Sequence, residues 1–322
     1  MSTDSVEAET AAVICCASCG TAQVDDVKLK KCDACDLVHY CSDNCKQEHL
    51  PHHKARCKER AAELRDEILF KQPESSHLGD CPICCLPLPI DNAGKSALMP
   101  CCSKIVCNGC YYASKLHRHR ENLQETCPFC RHPIPKNDEE AHKKLMKRIA
   151  ANDPVAITQR GLNLMKRVEA NDPIAMWQIG GLHQIKEDYV RAFEYWSNAA
   201  QLGNADAHYN LSIMYEKGKG VEKDEMKEIY HLEEAAIAGH PQSRFALGSN
   251  EWENERDGRA VKHWIIAANQ GYDDSIKALM VAYKGGFVSK ENLAAALRAQ
   301  KAAVDETKSP QREAAAKAFH NY

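Results

Sequence analysis

The cysteines of this chain are confined to one part of the sequence. All 17 lie between Cys15 and Cys130, and none follows in the remainder of the 322 residues. Most form close pairs, namely Cys16/Cys19, Cys32/Cys35, Cys41/Cys45, Cys81/Cys84, Cys107/Cys110 and Cys127/Cys130. Two or three residues between partners allow a tight turn to bring both thiolates onto one tetrahedral zinc ion. We therefore expect zinc sites in the N-terminal part of the protein.

Disulfide bonds are the competing interpretation of so many cysteines. A disulfide framework does not require regular close pairs, and no apolar signal segment opens the sequence. Apolar runs such as 261–268 are far shorter than the roughly 18 residues that a membrane-spanning helix needs. The sequence thus predicts an intracellular protein, cytoplasmic or nuclear, without a membrane span.

The charge balance indicates proteins as partners. Charged residues make up 27% of the chain and the formal net charge is −3, so no global basic field attracts nucleic acid or anionic lipid. The segments 28–31 and 117–120 are basic, but no aromatic stacking platform accompanies them. Nucleic-acid binding is therefore not expected.

The first group of close pairs supplies eight ligands, enough for two zinc ions. They are Cys16, Cys19, Cys32, Cys35, Cys41, Cys45, His53 and Cys57. Cys41 and Cys45, like His53 and Cys57, are four residues apart, which is the spacing of one helix face. A module of about 45 residues cannot bury enough apolar surface to fold alone. Metal must supply the missing stability.

These eight positions resemble the MYND-type zinc finger, including Tyr40 just before Cys41. The resemblance implies two interleaved sites, one of Cys16, Cys19, Cys41 and Cys45, the other of Cys32, Cys35, His53 and Cys57. It also implies a structural module that binds short proline-containing peptides. A register slip would put Cys15 in the place of Cys16. Related fingers occur in lysine methyltransferases, but no Asn-His-x-Cys-like signature follows, so methyl transfer is not expected.

A second group of eight cysteines follows a predicted helix over 58–71, which Pro73 ends. Its members are Cys81, Cys84, Cys101, Cys102, Cys107, Cys110, Cys127 and Cys130, with Cys85 left over. The group resembles a RING-type domain. That resemblance implies one zinc site from the first and third pairs and another from the second and fourth pairs. The second pair departs from the family because Cys101 and Cys102 are adjacent, and His117 and His119 are the nearby substitutes.

RING-type domains commonly act as ubiquitin ligases, by holding a ubiquitin-conjugating enzyme in position rather than by making bonds. The resemblance makes Ile83 and Pro128 apolar contacts of that enzyme. It makes Arg131 a hydrogen-bond donor that bridges the enzyme and ubiquitin. Ser114 stands where many relatives have a large aromatic residue. The alternative is that Ile83 and Pro128 only shape their zinc turns and Arg131 is a solvated charge.

Beyond about residue 150 the sequence repeats itself. Ala-Ala-x2-Gly recurs and ends at Gly203, Gly239 and Gly271, each followed by a polar turn and a new helical pattern. Each unit is predicted to be a pair of antiparallel helices, with Trp196, Tyr230 and Trp264 filling the space between small alanines. Related turn signals begin at Ala151 and Ala170. The pattern, with its glycine-rich loop at 215–221, resembles Sel-one-like repeats, which implies a solenoid that binds proteins.

We thus predict a mainly α protein, with two small zinc-stabilised cross-brace modules followed by an α-solenoid of helix-turn-helix repeats. The expected boundaries are 13–60 for the MYND-type finger, 61–78 for a helical linker, 79–135 for the RING-type finger, 150–306 for the repeats and 307–322 for a polar tail. Four zinc ions are expected. The predicted function is an adaptor with ubiquitin-ligase character, binding a conjugating enzyme and a substrate or peptide. The alternative is a non-enzymatic scaffold.

Overall fold

The computed structural model describes residues 14–23, 28–90, 95–99, 101–102, 104–132, 164 and 167–320. The chain divides into two compact units, Met1–Lys71 and Gln72–Tyr322. It is mainly helical with little strand, as predicted. No helix in the described part of the chain has both the length and the apolar character needed to cross a bilayer.

The first unit contains a two-stranded antiparallel sheet and one long helix. Strand β1 (Lys30–Lys31) pairs with β2 (His39–Tyr40), and helix α1 spans Asp43–Leu69. Ser42 caps α1 by accepting the backbone N–H of Cys45 at 3.3 Å. Cys41 therefore lies before the helix rather than on its first turn, because the capping residue has extended backbone.

In the described residues, the buried cluster of the first unit consists of cysteines and one tyrosine. The buried members of its cluster are Cys16, Cys32, Cys35, Tyr40 and Cys57. Within α1 the buried residues are His53, Cys57 and Leu69, which do not form the broad apolar stripe of an ordinary amphipathic helix. Among its described residues, the first unit therefore has only a small aliphatic core, and we expect metal to supply much of its stability.

The second unit begins with a second cysteine-rich module. Strands β3 (Ser96–Leu98) and β4 (Ile105–Cys107) form an antiparallel hairpin in which Ala97 faces Val106. Helix α2 (Asn108–Arg120) follows β4 directly. Leu88, Met99 and Val106 are buried beside the cysteines. This module therefore has a small aliphatic core in addition to its cysteines.

The rest of the second unit is a succession of antiparallel helices. They are α3 (Pro173–Ile185), α4 (Tyr189–Gln201), α5 (Ala205–Lys217), α6 (Glu225–Ile237), α7 (Pro241–Glu253), α8 (Asp257–Asn269), α9 (Asp273–Lys284) and α10 (Lys290–Glu306). The most extensive contacts join α3 with α4, α5 with α6, and α7 with α8. These are the predicted helix pairs. The final helix, α11 (Pro310–His320), packs against α2.

The turns between pairs follow the predicted chemistry. Gly203, Gly239 and Gly271 have φ of +81°, +85° and +94°, a conformation that glycine adopts without a steric penalty. The turn signal from Ala170 becomes the helix cap of α3, where Asp172 accepts backbone N–H groups. The turn signal from Ala151 lies outside the described residues.

Small and large side chains alternate in the core of the solenoid. The alanine doublets before the three glycines are buried, and so are the indole rings of Trp196 and Trp264. Tyr230 does not follow this rule, because 52% of it is exposed. Its predicted role as a core side chain is therefore wrong.

Candidate metal centres

The first unit brings together two sets of four donors. Cys16, Cys19, Cys41 and Cys45 form one cluster, and Cys32, Cys35, His53 and Cys57 form the other. Within each cluster all donor atoms lie within 4.8 Å of one another. The two sets interleave along the chain as the resemblance to MYND fingers implies.

The separations suit zinc. Sulfurs at about 2.3 Å from a tetrahedral zinc ion lie about 3.8 Å from one another. Sγ of Cys41 is 3.5 Å from Sγ of Cys19 and 3.6 Å from Sγ of Cys45. In the other cluster, Nε2 of His53 is 3.1 Å from Sγ of Cys35, so Nε2 is the nitrogen that faces the metal position.

The second cysteine-rich module also contains two clusters. Cys81, Cys84, Cys107 and Cys110 form the third cluster, and Cys101, Cys102, Cys127 and Cys130 form the fourth. The adjacent cysteines both reach the fourth cluster, with Sγ of Cys101 3.3 Å from Cys130 and Sγ of Cys102 3.9 Å from Cys127. The substitutes His117 and His119 are exposed and belong to no cluster in the described residues. Cys15 and Cys85 also lie outside the clusters.

The close pairs share one backbone geometry. Gly20, Asp36, Cys85 and Arg131 each follow the second cysteine of a pair, and each has φ between 55° and 74°. Each donates its backbone N–H to the carbonyl of the first cysteine, at 2.8 to 3.0 Å. This left-handed turn folds the chain back so that both sulfurs point to one side. The recurrence of the turn at four separate pairs supports metal binding at all of them.

The pair Cys107/Cys110 has a different setting. Cys107 is the N-cap of α2, and its Sγ accepts the backbone N–H of Cys110 at 3.4 Å. Burial raises the pKa of Cys107, and the backbone N–H of Cys110, at the positive end of the helix dipole, opposes this rise. Here a helix start, rather than a left-handed turn, brings the two sulfurs together.

The thiols differ in how readily they ionise. Burial opposes ionisation of Cys16, but hydrogen bonds from surrounding backbone N–H groups lower its pKa to about 6. The backbone N–H of His132 similarly lowers the pKa of Cys130 to about 7. In contrast, the neighbouring Cys19 thiol raises the pKa of Cys41 to about 12. A divalent cation would displace such protons and hold four donors together.

The residues predicted to contact a conjugating enzyme lie at the surface of the second module. Ile83 is 40% exposed, and Phe129, beside the half-buried Pro128, is 41% exposed. Arg131 is exposed and adopts the left-handed turn conformation.

A fifth group of metal-ligand types was not predicted. In this group Oδ1 of Asp206 lies 3.6 Å from Nε2 of His77 and 3.8 Å from Nε2 of His240. Nδ1 of His240 accepts the backbone N–H of Ser243 at 3.1 Å, so the neutral ring carries its proton on Nε2. A metal ion would need that nitrogen's lone pair. We therefore interpret the group as a polar contact between the segment before the second module and the solenoid.

The comparisons with known families cover two parts of the chain. Residues 16–57 match the model of the MYND finger. Residues 173–204, 205–240 and 257–272 match the model of the Sel1 repeat. The comparisons do not show a RING-type finger, so the resemblance of the second module to RING-type domains remains a prediction.

One curated relative is the SET domain and MYND-type zinc finger protein 6 of Schizosaccharomyces pombe. It is 38% identical over 52 residues, which are 16% of this chain and 11% of the relative. The match thus spans only about a tenth of the relative's length.

Two solved structures are similar to the chain. One is a Sel1 repeat protein from Oxalobacter formigenes, 25% identical with a TM-score of 0.34, covering 37% of this chain and 96% of that one. The other is c5321, a protective antigen of uropathogenic Escherichia coli with an SLR fold. It is 20% identical with a TM-score of 0.40, covering 59% of this chain and 45% of that one.

Taken together, the residues fit zinc and protein binding. The four clusters offer thiolate and imidazole donors in sets of four, which suit structural zinc. MYND fingers and Sel1 repeats are protein-interaction modules. The chain therefore combines candidate zinc sites with two kinds of module that mediate protein interactions.

Proposed function

We propose that the protein is an adaptor that recruits a ubiquitin-conjugating enzyme through its second zinc module and a protein substrate through its solenoid and MYND finger. The main support for a binding rather than a catalytic role is that each cluster has a full set of four protein ligands. Each supplies four protein donors, so a tetrahedral ion has no open position for a catalytic water. The sixteen clustered residues would hold four zinc ions in structural sites.

A surface depression of the MYND finger supports peptide binding. It has a volume of about 200 Å³ and is lined by Lys30, Lys31, Asp33, Tyr40, Ser42, Asp43 and Lys46. Lys46 and Asp33 form an ion pair of 2.7 Å at its edge. A short proline-containing peptide, as the resemblance to MYND fingers implies, is the occupant that we propose.

Exposed apolar side chains on the second module support the proposed ubiquitin-ligase activity. Helix α11 packs against α2 near Gly109 and Tyr112. Ile83 and Phe129 nevertheless remain about 40% exposed. Two exposed apolar side chains and an exposed cationic Arg131 on the same module suit a docking surface for an enzyme whose ubiquitin must be held in place.

Ubiquitin-chain formation tests this proposal. The zinc-loaded full chain, activating enzyme, ubiquitin and a panel of conjugating enzymes should build chains, and Ile83→Ala should abolish the activity. Arg131→Asn should also abolish it, and asparagine tolerates the left-handed backbone at this position. Leu123→Ala, which truncates another exposed apolar residue of the module, should retain full activity.

A non-enzymatic scaffold is the alternative function. It is favoured by Ser114, which replaces the large aromatic residue of many active RING-type domains. Absence of ubiquitin chains across a broad panel of conjugating enzymes, with four zinc ions bound, would establish the scaffold over the ligase.

A further inference from the structure

The side chain of Arg312, on helix α11, contacts the second zinc module. Nη1 of Arg312 donates to the carbonyl of Pro87 at 2.6 Å and to that of Thr307 at 2.6 Å. Nη2 donates to the carbonyl of Leu86 at 3.1 Å and to Sγ of Cys84 at 3.5 Å. One guanidinium therefore holds both a thiolate of the third cluster and the turn that follows it.

The position of Arg312 is fixed by close packing between α2 and α11. A Cβ placed on Gly109 would lie 2.8 Å from the backbone N of Arg312 and 2.9 Å from the carbonyl carbon of Gln311. Further along the two helices, the rings of Tyr112 and Phe319 meet edge to face with centroids 5.8 Å apart. Because a glycine is needed where the helices touch, the contact is specific rather than incidental.

The charge of the third cluster explains what this cation does. Four thiolates around a divalent zinc ion leave two net negative charges, and hydrogen-bond donors beside the ligands fix their orientation and tune metal affinity. Arg312 is half-buried, so its charge is less screened than that of a surface arginine. A guanidinium also presents several N–H groups in a planar fork, which matches the simultaneous bonds to sulfur and to two carbonyls of the module.

We propose that Arg312 is an outer-shell residue of the zinc site formed by Cys81, Cys84, Cys107 and Cys110, and that zinc retention there is coupled to docking of α11. Coupling between two binding events is reciprocal. A docked α11 slows zinc loss from this site, and zinc in this site keeps α11 docked. Loss of this one zinc ion would free the end of the chain.

A chelator challenge of the zinc-loaded full chain tests the first half of the proposal. Native mass spectrometry counts the ions that remain during the challenge. Arg312→Ala should lower the zinc affinity of one of the four sites by about 10- to 100-fold, and so release one ion faster than the unmodified chain does. Arg312→Lys should be intermediate, since an ammonium lacks the planar fork. Lys317→Ala, which removes an exposed cation from the same helix, should behave as the unmodified chain.

Cadmium-113 NMR gives a readout that general destabilisation would not reproduce. In cadmium-substituted protein, Arg312→Lys should shift one of the four metal resonances and leave the other three in place. Phe319→Ala, which loosens α11 without touching the cation, should also speed loss of one ion and raise hydrogen exchange in α11. These variants keep the proposal testable if Arg312→Ala fails to fold.

Two results would contradict the proposed coupling between zinc retention and docking of α11. Unchanged release of all four ions in folded Arg312→Ala would overturn the proposal. Simultaneous loss of several ions would also overturn it, since that outcome indicates unfolding rather than an effect at one site.

Discussion

Gly180 of α3 lies directly against the indole ring of Trp196 of α4. A Cβ at this glycine would be 2.4 Å from the indole Nε1, closer than packed atoms can approach. The indole N–H donates to the carbonyl of Trp177 at 3.0 Å, which fixes the ring in place. The same relationship recurs between Gly248 and Trp264, where the distance would be 2.5 Å. A missing side chain on one helix thus accommodates a large one on its partner.

This packing predicts that Gly180→Ala and Gly248→Ala destabilise the protein. Alanine favours a helix by about 1 kcal/mol over glycine, but the clash with a buried indole costs about 1–3 kcal/mol. We expect the clash to prevail in each variant, measured as a lower free energy of unfolding in urea.

Gly181 provides the matched control. It is the next residue of the same helix, and a Cβ there would meet nothing within 4 Å. Gly181→Ala should therefore stabilise the protein by up to about 1 kcal/mol. Equal effects at positions 180 and 181 would contradict the packing that we describe.

The lowered pKa of the buried His240 leads us to expect that the stability of the solenoid depends on pH. Burial, together with the nearby His77, lowers its pKa from 6.5 to about 3. Between these values the unfolded chain binds a proton that the folded chain does not. The free energy of unfolding should consequently fall as pH decreases from 6.5 toward 3, by about 1.4 kcal/mol per pH unit from this group.

His240→Asn isolates this contribution, because asparagine can still cap α7 but does not titrate in this range. The variant should show a shallower loss of stability between pH 6.5 and pH 5 in urea unfolding. A steeper dependence in His240→Asn would show that the protonation argument has the wrong sign.

The adjacent cysteines give a prediction about metal content. Both Cys101 and Cys102 reach the fourth cluster, so Cys101→Ser and Cys102→Ser should each bind three zinc ions instead of four. The measurement is metal analysis of purified protein. His117→Ala and His119→Ala should retain four ions, and loss of zinc in either would restore the histidine alternative.

The zinc clusters could be predicted from sequence because each pair of ligands is local. A tight turn such as that at Cys16 and Cys19 needs only neighbouring residues, and its spacing is visible in the chain. The glycine turns at Gly203 and Gly239 are local in the same sense. The exposure of Tyr230 was not predicted, because helical periodicity alone does not say how far a side chain reaches beyond its neighbours.

Contacts between segments that are distant in the sequence could not be predicted, because no local spacing or motif marks them. Arg312 lies far along the chain from Cys84, and no motif marks it as the partner of that thiol. The segment before the second module also makes a contact that no motif predicts: His77 donates its backbone N–H to the carbonyl of Gly239 at 3.1 Å. A Cβ on Gly239 would lie 2.7 Å from the carbonyl oxygen of Ser75. Only the fold brings these residues together.

We infer that four zinc ions, held by four sets of protein donors, replace much of the apolar interior of the N-terminal part. Native mass spectrometry of the folded, zinc-supplemented full chain is the decisive measurement. We expect four zinc ions per chain. A count of two would contradict it by removing one module, and a count of five would contradict the assignment of His77, Asp206 and His240 as a metal-free polar contact.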